Sequence, residues 1–124
     1  MGMSFIVGPN VEGLPLSEAV RAGDFLFVSG MCDFDDDGSI VKGGVAAETD
    51  RIMTDLIDVL ARSGTDLSRI AKVNVYLASA DDFDAFNAAY AKYFPGNKPA
   101  RIGVVAGMTI NATVEMDFTA YLGD

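Results

Sequence analysis

Histidine is absent from this 124-residue chain, as is tryptophan, and there is one cysteine. Without imidazole there is no histidine to act as general base or to activate a serine or cysteine nucleophile. Cys32 has no partner for an internal disulfide, and with neither His nor a second Cys the donors of a zinc site are missing. Basic residues are also few: 9 Lys and Arg against 18 Asp and Glu leave a formal net charge of −9. Such a surface repels phosphate backbones, so nucleic acid is not an expected partner. No apolar run approaches the roughly 20 residues of a membrane span. The start, Met1-Gly2-Met3-Ser4, has no basic segment followed by an apolar stretch. The expectation is a cytoplasmic protein that makes no membrane contact.

Half of the residues are hydrophobic, which excludes a disordered chain. The length suits a single domain, residues 1–124, with a sizeable core. No linker, internal repeat or low-complexity segment interrupts it. Residues 17–22, the turn signal Ala22-Gly23-Asp24 and the apolar run Phe25-Leu26-Phe27-Val28 predict a hairpin whose second strand is buried on both faces. The Asp35–Gly44 stretch reads as a loop. Asp33, Asp35, Asp36 and Asp37 read as a solvated acidic turn; a carboxylate-only cation site is the alternative, without the glutamate-ended spacing of a calcium loop.

A helix is predicted over about 46–63. Ile52, Leu56, Val59 and Leu60 recur at helical spacing with Met53 and Ile57 beside them, and Gly64 is placed to end it in a left-handed conformation. Ile70 to Leu77 alternates as a strand. A second helix runs over about 80–94, capped by Ser79, with Phe83, Phe86, Tyr90 and Phe94 as its core stripe and Pro95-Gly96 as its stop. Strands at about 101–106 and 113–122 close the chain. The order β-β-α-β-α-β-β predicts an α+β fold, a mixed sheet with two helices on one face. The other face is left for a partner subunit.

Two side chains carry chemistry. Arg101, in Lys98-Pro99-Ala100-Arg101, presents a rigid, permanently charged donor fork that suits a carboxylate. Glu115 follows on the next strand, where a carboxylate can hold or activate a water. Together they suggest a site for a small acid that reacts with water. Other roles are open to both: Arg101 as an interface ion-pair partner, Glu115 as an outward strand residue paired with Lys72 or Arg101. Asp117 shares the face of Glu115. Cys32 reads as a small buried hydrophobe, since no histidine can activate it. Ser29 reads as a turn or ligand hydrogen-bonder, and Asn87 as a loop cap or a cleft residue. The glycines at 43–44 and 103–107 lack the strand-to-helix context of a phosphate cradle.

From about residue 13 to 122 the chain resembles the RidA/YjgF family, also called L-PSP-type proteins. The resemblance rests on the order of Pro15-Leu16-Ser17-Glu18-Ala19-Val20, Gly23-Asp24-Phe25-Leu26-Phe27-Val28-Ser29-Gly30, Val73-Asn74-Val75-Tyr76-Leu77, Asp82-Phe83, Phe86-Asn87, Tyr93-Phe94, Pro99-Ala100-Arg101 and Val114-Glu115-Met116-Asp117. It implies a chorismate-mutase-like fold and a homotrimer with small-molecule sites between subunits. It also implies cofactor-free, metal-free hydrolysis of reactive enamines and imines such as 2-aminoacrylate, giving 2-keto acids and ammonia. In that pattern Arg101 binds the substrate carboxylate, Glu115 positions the attacking water, and Ser29, Gly30 and Asn87 lie around the cleft.

The chain departs from the pattern at four places. Leu16 stands where a tyrosine is usual, Met31 where glutamine is frequent, and Gly103 where many deaminating members have cysteine. The usual Leu-Pro before the last strand is replaced around Met108-Thr109-Ile110-Asn111. The pocket is thereby expected to be more apolar near Leu16. A non-enzymatic trimer that binds small carboxylates, with a regulatory or chaperone role, is the alternative function. A ribonuclease or translation inhibitor, a further label within the family, is opposed by the charge of −9 and the absent histidine.

Overall fold

The computed structural model describes residues 2–34, 39 and 43–124. Six strands form one sheet: β1 (Met3–Ile6), β2 (Ala19–Ala22), β3 (Phe25–Met31), β4 (Ile70–Leu77), β5 (Ala100–Val105) and β6 (Val114–Tyr121). Their order across the sheet is β1-β2-β3-β6-β4-β5. Only β4 and β5 pair in parallel; the other neighbours are antiparallel. The two helices are α1 (Val45–Arg62) and α2 (Phe83–Ala91). This is the predicted α+β arrangement with one strand more. β1 was not foreseen; Met3–Ile6 extends the hairpin by pairing with β2.

α1 forms because its apolar residues fall on one stripe. Ile52, Met53, Leu56, Val59 and Leu60 are fully buried against the sheet, whereas Ile57 points outward. The helix ends as expected at Gly64, whose φ is +79°. Gly64 N–H donates to Ala61 O at 3.1 Å and Thr65 N–H to Leu60 O at 2.9 Å, the paired bonds of a Schellman ending. α2 is shorter than the sequence implies. Its first turn is a separate 3-10 segment, Ala80–Asp82, capped by the Ser79 hydroxyl, which accepts from Asp81 N–H.

The core lies between the helices and one face of the sheet. Leu26, Val28, Val73, Val75, Met116, Phe118 and Ala120 alternate into it, and Phe86, Tyr90 and Phe94 from α2 close one end. The expectation that β3 is buried on both faces holds on one face only. Leu26 and Val28 are buried, but Phe25 and Phe27 remain 44% and 48% exposed on the opposite face. Phe83 is likewise exposed rather than core. Asp33 is buried, not solvated, with Arg51 4.0 Å away. The remaining acidic-turn positions, Asp35 to Asp37, fall outside the described residues.

The face away from the helices carries Phe25, Phe27, Tyr121, Ile102 and Val104, with a polar centre in which Asn74 and Tyr76 donate to Asp117 at 2.7 and 3.3 Å. Strand alternation requires this outcome, because helices cover only the odd-numbered side of β4.

Gly64→Ala is expected to lower stability by about 1–2 kcal/mol, the cost of a left-handed conformation for a residue with a Cβ. No atom lies within 4 Å of the added methyl, so the cost is one of backbone alone. A denaturant midpoint that falls with unchanged slope is the measurement; no change would remove the capping argument.

Candidate active site

Arg101 and Glu115 are consecutive in strand order along the chain but not neighbours in the sheet. β4 lies between β5 and β6, which corrects the adjacent-strand expectation. Arg101 pairs with Val73 and Glu115 with Tyr76, so the two leave the sheet on opposite faces. Lys72 sits opposite Thr119, which rules out the cross-strand pairing of Lys72 with Glu115.

Arg101 points toward α2. Its guanidinium carbon lies 4.9 Å from the ring centre of Tyr90, 5.5 Å from Phe86 and 5.9 Å from Phe83. These rings hold the cation by its attraction to their faces, without consuming its hydrogen-bond donors. Among the described residues no carboxylate lies within ion-pairing distance of it. The ion-pair role is therefore not the one taken within this chain, and the donor fork is available to an external anion.

A hollow of about 300 Å³ beside it is lined by Asn87, Tyr90, Ala91, Phe94, Lys98, Pro99 and Arg101. Lys98 is anchored there, donating to Phe94 O at 2.9 Å and Gly96 O at 3.3 Å, and adds a second positive charge. The buried Tyr90 hydroxyl has no partner among the described residues. Gly103 is on the same face of β5 as Arg101. A Cβ there would meet only Val75, at 3.9 Å, so the position has room for a side chain that this chain lacks.

Glu115 belongs to a second hollow, of about 280 Å³, where the ends of β3 and β6 meet the segment preceding β2. It brings together Leu16, Ser29, Gly30 and Glu115, with Met31 and Cys32 beside them. Ser29 Oγ donates to Ser17 O at 2.6 Å, which fixes the hydroxyl as an acceptor toward the hollow. A Cβ at Gly30 would lie 2.2 Å from Glu115 Oε2, so a side chain there would have to displace the carboxylate from its present position. Burial first, then the charge and hydrogen bonding of Glu115 and the charge of Glu48, together push the Cys32 thiol up to about 12. Cys32 is thus a buried, protonated neighbour of the carboxylate and not a nucleophile.

The seven residues singled out from the sequence therefore fall into two groups. Leu16, Ser29, Gly30 and Glu115 share one hollow; Asn87, Arg101 and Gly103 belong to the other side of the sheet. Sequence reasoning missed the aromatic platform under Arg101, having assigned Phe83, Phe86 and Tyr90 to the core alone. It also missed Val11, Leu14, Phe34 and Ile110, which line the Glu115 hollow. No spacing signal marks them, since they come from irregular segments.

Comparisons with known proteins identify relatives of nearly the whole chain. The family model for Endoribonuclease L-PSP matches residues 11–122. The human 2-iminobutanoate/2-iminopropanoate deaminase is 32% identical over 111 residues, covering 88% of this chain and 81% of that protein. The chloroplastic Reactive Intermediate Deaminase A of Arabidopsis thaliana is 34% identical over 110 residues, covering 87% of this chain and 59% of that one. The crystal structure of yeast Mmf1 superimposes with a TM-score of 0.89 at 30% identity, covering 98% and 99% of the two chains.

Native Cys32 is expected to resist iodoacetamide at pH 8 and to react once the protein is unfolded in urea. Glu115→Gln removes the charge that raises the thiol, so labelling of the folded variant should be faster, about tenfold for each unit by which the pKa falls. Equal labelling rates, read by mass spectrometry, would contradict the Cys32–Glu115 proximity.

Proposed function

The chain belongs to the endoribonuclease L-PSP (RidA/YjgF) family, and from that membership we propose that it is a cofactor-free hydrolytic deaminase of small enamine and imine carboxylates. The observation that carries this reading is the unpaired Arg101 guanidinium on its aromatic platform, set against a Glu115 carboxylate in a hollow of its own. The deaminase names of the human and plant relatives support it.

The reaction follows from these groups. An enamine such as 2-aminoacrylate tautomerises to the 2-imine. Arg101 binds the carboxylate through two parallel hydrogen bonds and fixes the orientation of the imine carbon. Glu115 takes a proton from water as the oxygen attacks that carbon. The resulting tetrahedral carbinolamine accepts the proton on nitrogen and expels ammonia, leaving the 2-keto acid. Imine plus water gives keto acid plus ammonia, with no electron transfer.

Opposite faces of one sheet cannot deliver Arg101 and Glu115 to the same substrate within a chain. We therefore place the working site between copies, with Leu16, Ser29, Gly30 and Glu115 from one protomer and Asn87, Arg101 and Gly103 from the next. The exposed apolar face around Phe25, Phe27, Ile102 and Val104 gives such copies a surface to bury, and a closed homotrimer would present each half-site to its neighbour. No described helix is long and apolar enough to cross a membrane. A cytoplasmic location, a small carboxylate as the ligand, and no nucleic acid or membrane partner complete the reading.

A second reading is a carboxylate-binding trimer without turnover. It is favoured by Gly103, which leaves space beside Arg101 where a functional side chain could stand.

Release of ammonia from freshly generated 2-iminobutanoate tests the first reading. Arg101→Ala and Glu115→Gln should each lower kcat/KM by about 100-fold or more, and Gly30→Ala should do so by displacing the Glu115 carboxylate. Keto-acid binding that Arg101→Ala abolishes, with no acceleration by wild type, would select the second reading. Co-refolding equal amounts of Arg101→Ala and Glu115→Gln chains is expected to recover about a quarter of wild-type activity, the share of shared sites with both halves intact in a randomly mixed ring. No recovery would overturn the division of the site between copies.

A further inference from the structure

Glu48 is a fully buried carboxylate with no part in the reaction itself. We propose that it is a positioning residue for the Glu115 base, and that it acts by fixing the start of β6 through the Thr113 amide. The role of Glu115 in this inference rests on the deaminase reading; the geometry rests on contacts within one chain.

Glu48 stands in the first turn of α1. Its Oε1 accepts from Thr113 N–H at 3.0 Å, and its Oε2 is buried with no partner among the described residues. The positive end of the helix makes a negative charge tolerable there. Tolerance does not explain the choice, because a buried carboxylate is costly to desolvate and an apolar side chain would pack at less cost. What an apolar side chain cannot supply is an acceptor for the Thr113 amide.

Glu115 needs that hold because it stands near a strand end. It is the second residue of β6. On one side it pairs with Tyr76 of β4, but on the other the pairing with β3 ends at Met31 and Met116, so the ladder grips Glu115 from β4 alone. Thr113, two residues before it, is gripped from both sides: Ala78 N–H donates to its carbonyl at 2.9 Å, and Glu48 takes its amide. Only about 7 Å of extended chain separates the two residues, too little to absorb a shift at Thr113. Cys32, next after Met31, hydrogen-bonds to Glu115 and also feels the charge of Glu48, so the three side chains adjoin. A base displaced by about 1 Å from its reacting geometry loses up to about 100-fold in rate.

The test compares Glu48→Gln with Glu48→Asp in the full chain. Glutamine keeps the reach to Thr113 and loses the charge; aspartate keeps the charge and is shorter by one methylene. With 2-iminobutanoate, Glu48→Asp is expected to lower kcat about tenfold and to change KM less than about threefold, whereas Glu48→Gln stays within about threefold of wild type in both. A second readout is independent of turnover. Glu12, Glu18, Glu48 and Glu115 are the glutamates of the chain, so the side-chain carboxyl 13C resonance of Glu115 is assignable by its loss in Glu115→Gln. That resonance should move more in Glu48→Asp than in Glu48→Gln.

Glu48→Gln impaired as much as Glu48→Asp, or more, would overturn the inference in favour of a role for the charge. Wild-type kcat in both variants would also overturn it, leaving Glu48 a part of the fold and the deaminase reading intact. A loss confined to KM would overturn it in favour of a hollow wall, Thr109 and Ile110, that Glu48 shapes without touching the base. The expected movement of the Glu115 resonance in a protein that hydrolyses no imine would uphold the positioning and sink the deaminase reading.

Discussion

β6 runs antiparallel between β3 and β4, and its register governs both faces of the molecule. Val114, Met116, Phe118 and Ala120 turn toward the helices and are buried, which obliges Glu115, Asp117 and Thr119 to face the other way. A slip of one residue would bury two carboxylates and expose Phe118, at a cost of several kcal/mol for each unpaired buried charge. The same pairing places β4 between β6 and β5. Core packing therefore separates Arg101 from Glu115 before any requirement of chemistry is considered.

Each half-site is organised by its own surroundings. Arg101 is held by rings that do not use its hydrogen-bond donors, and Lys98 adds positive charge nearby without pairing to a carboxylate among the described residues. The Glu115 carboxylate lies over the bare backbone of Gly30, where a side chain would have to push it aside, and has the protonated Cys32 beside it. Positioning by covalent geometry and packing is what a reaction needs when it uses no metal, redox group or covalent nucleophile. In the proposed shared site, prior order in the two halves would lower the entropy lost when they meet.

The family description includes an endoribonuclease label, and the molecule gives it little physical support. The net charge of −9 opposes a polyanion, there is no histidine to move protons at a ribose, and the two cations beside the Arg101 hollow form a spot rather than a groove. Two neighbouring positive charges match a single small anion better than a polyanion. Apolar walls at Leu14, Leu16 and Phe34 line the Glu115 hollow.

Periodicity alone determined the two helices, five of the six strands, the Gly64 helix ending and the existence of an uncovered sheet face, because these follow from neighbours a few residues apart along the chain. Residue chemistry marked Arg101 and Glu115 as a carboxylate clamp and a base. β1 escaped notice because Met3–Ile6 is too short to show alternation and acquires its meaning only by pairing with β2. Tertiary structure alone decided that β4 intervenes between the two site residues, that Phe86 and Tyr90 support a cation as well as a core, and that Val11, Leu14, Phe34 and Ile110 gather around Glu115. Strand order and loop convergence are set by which distant surfaces bury each other best. That is a property of the whole chain, and no local spacing encodes it.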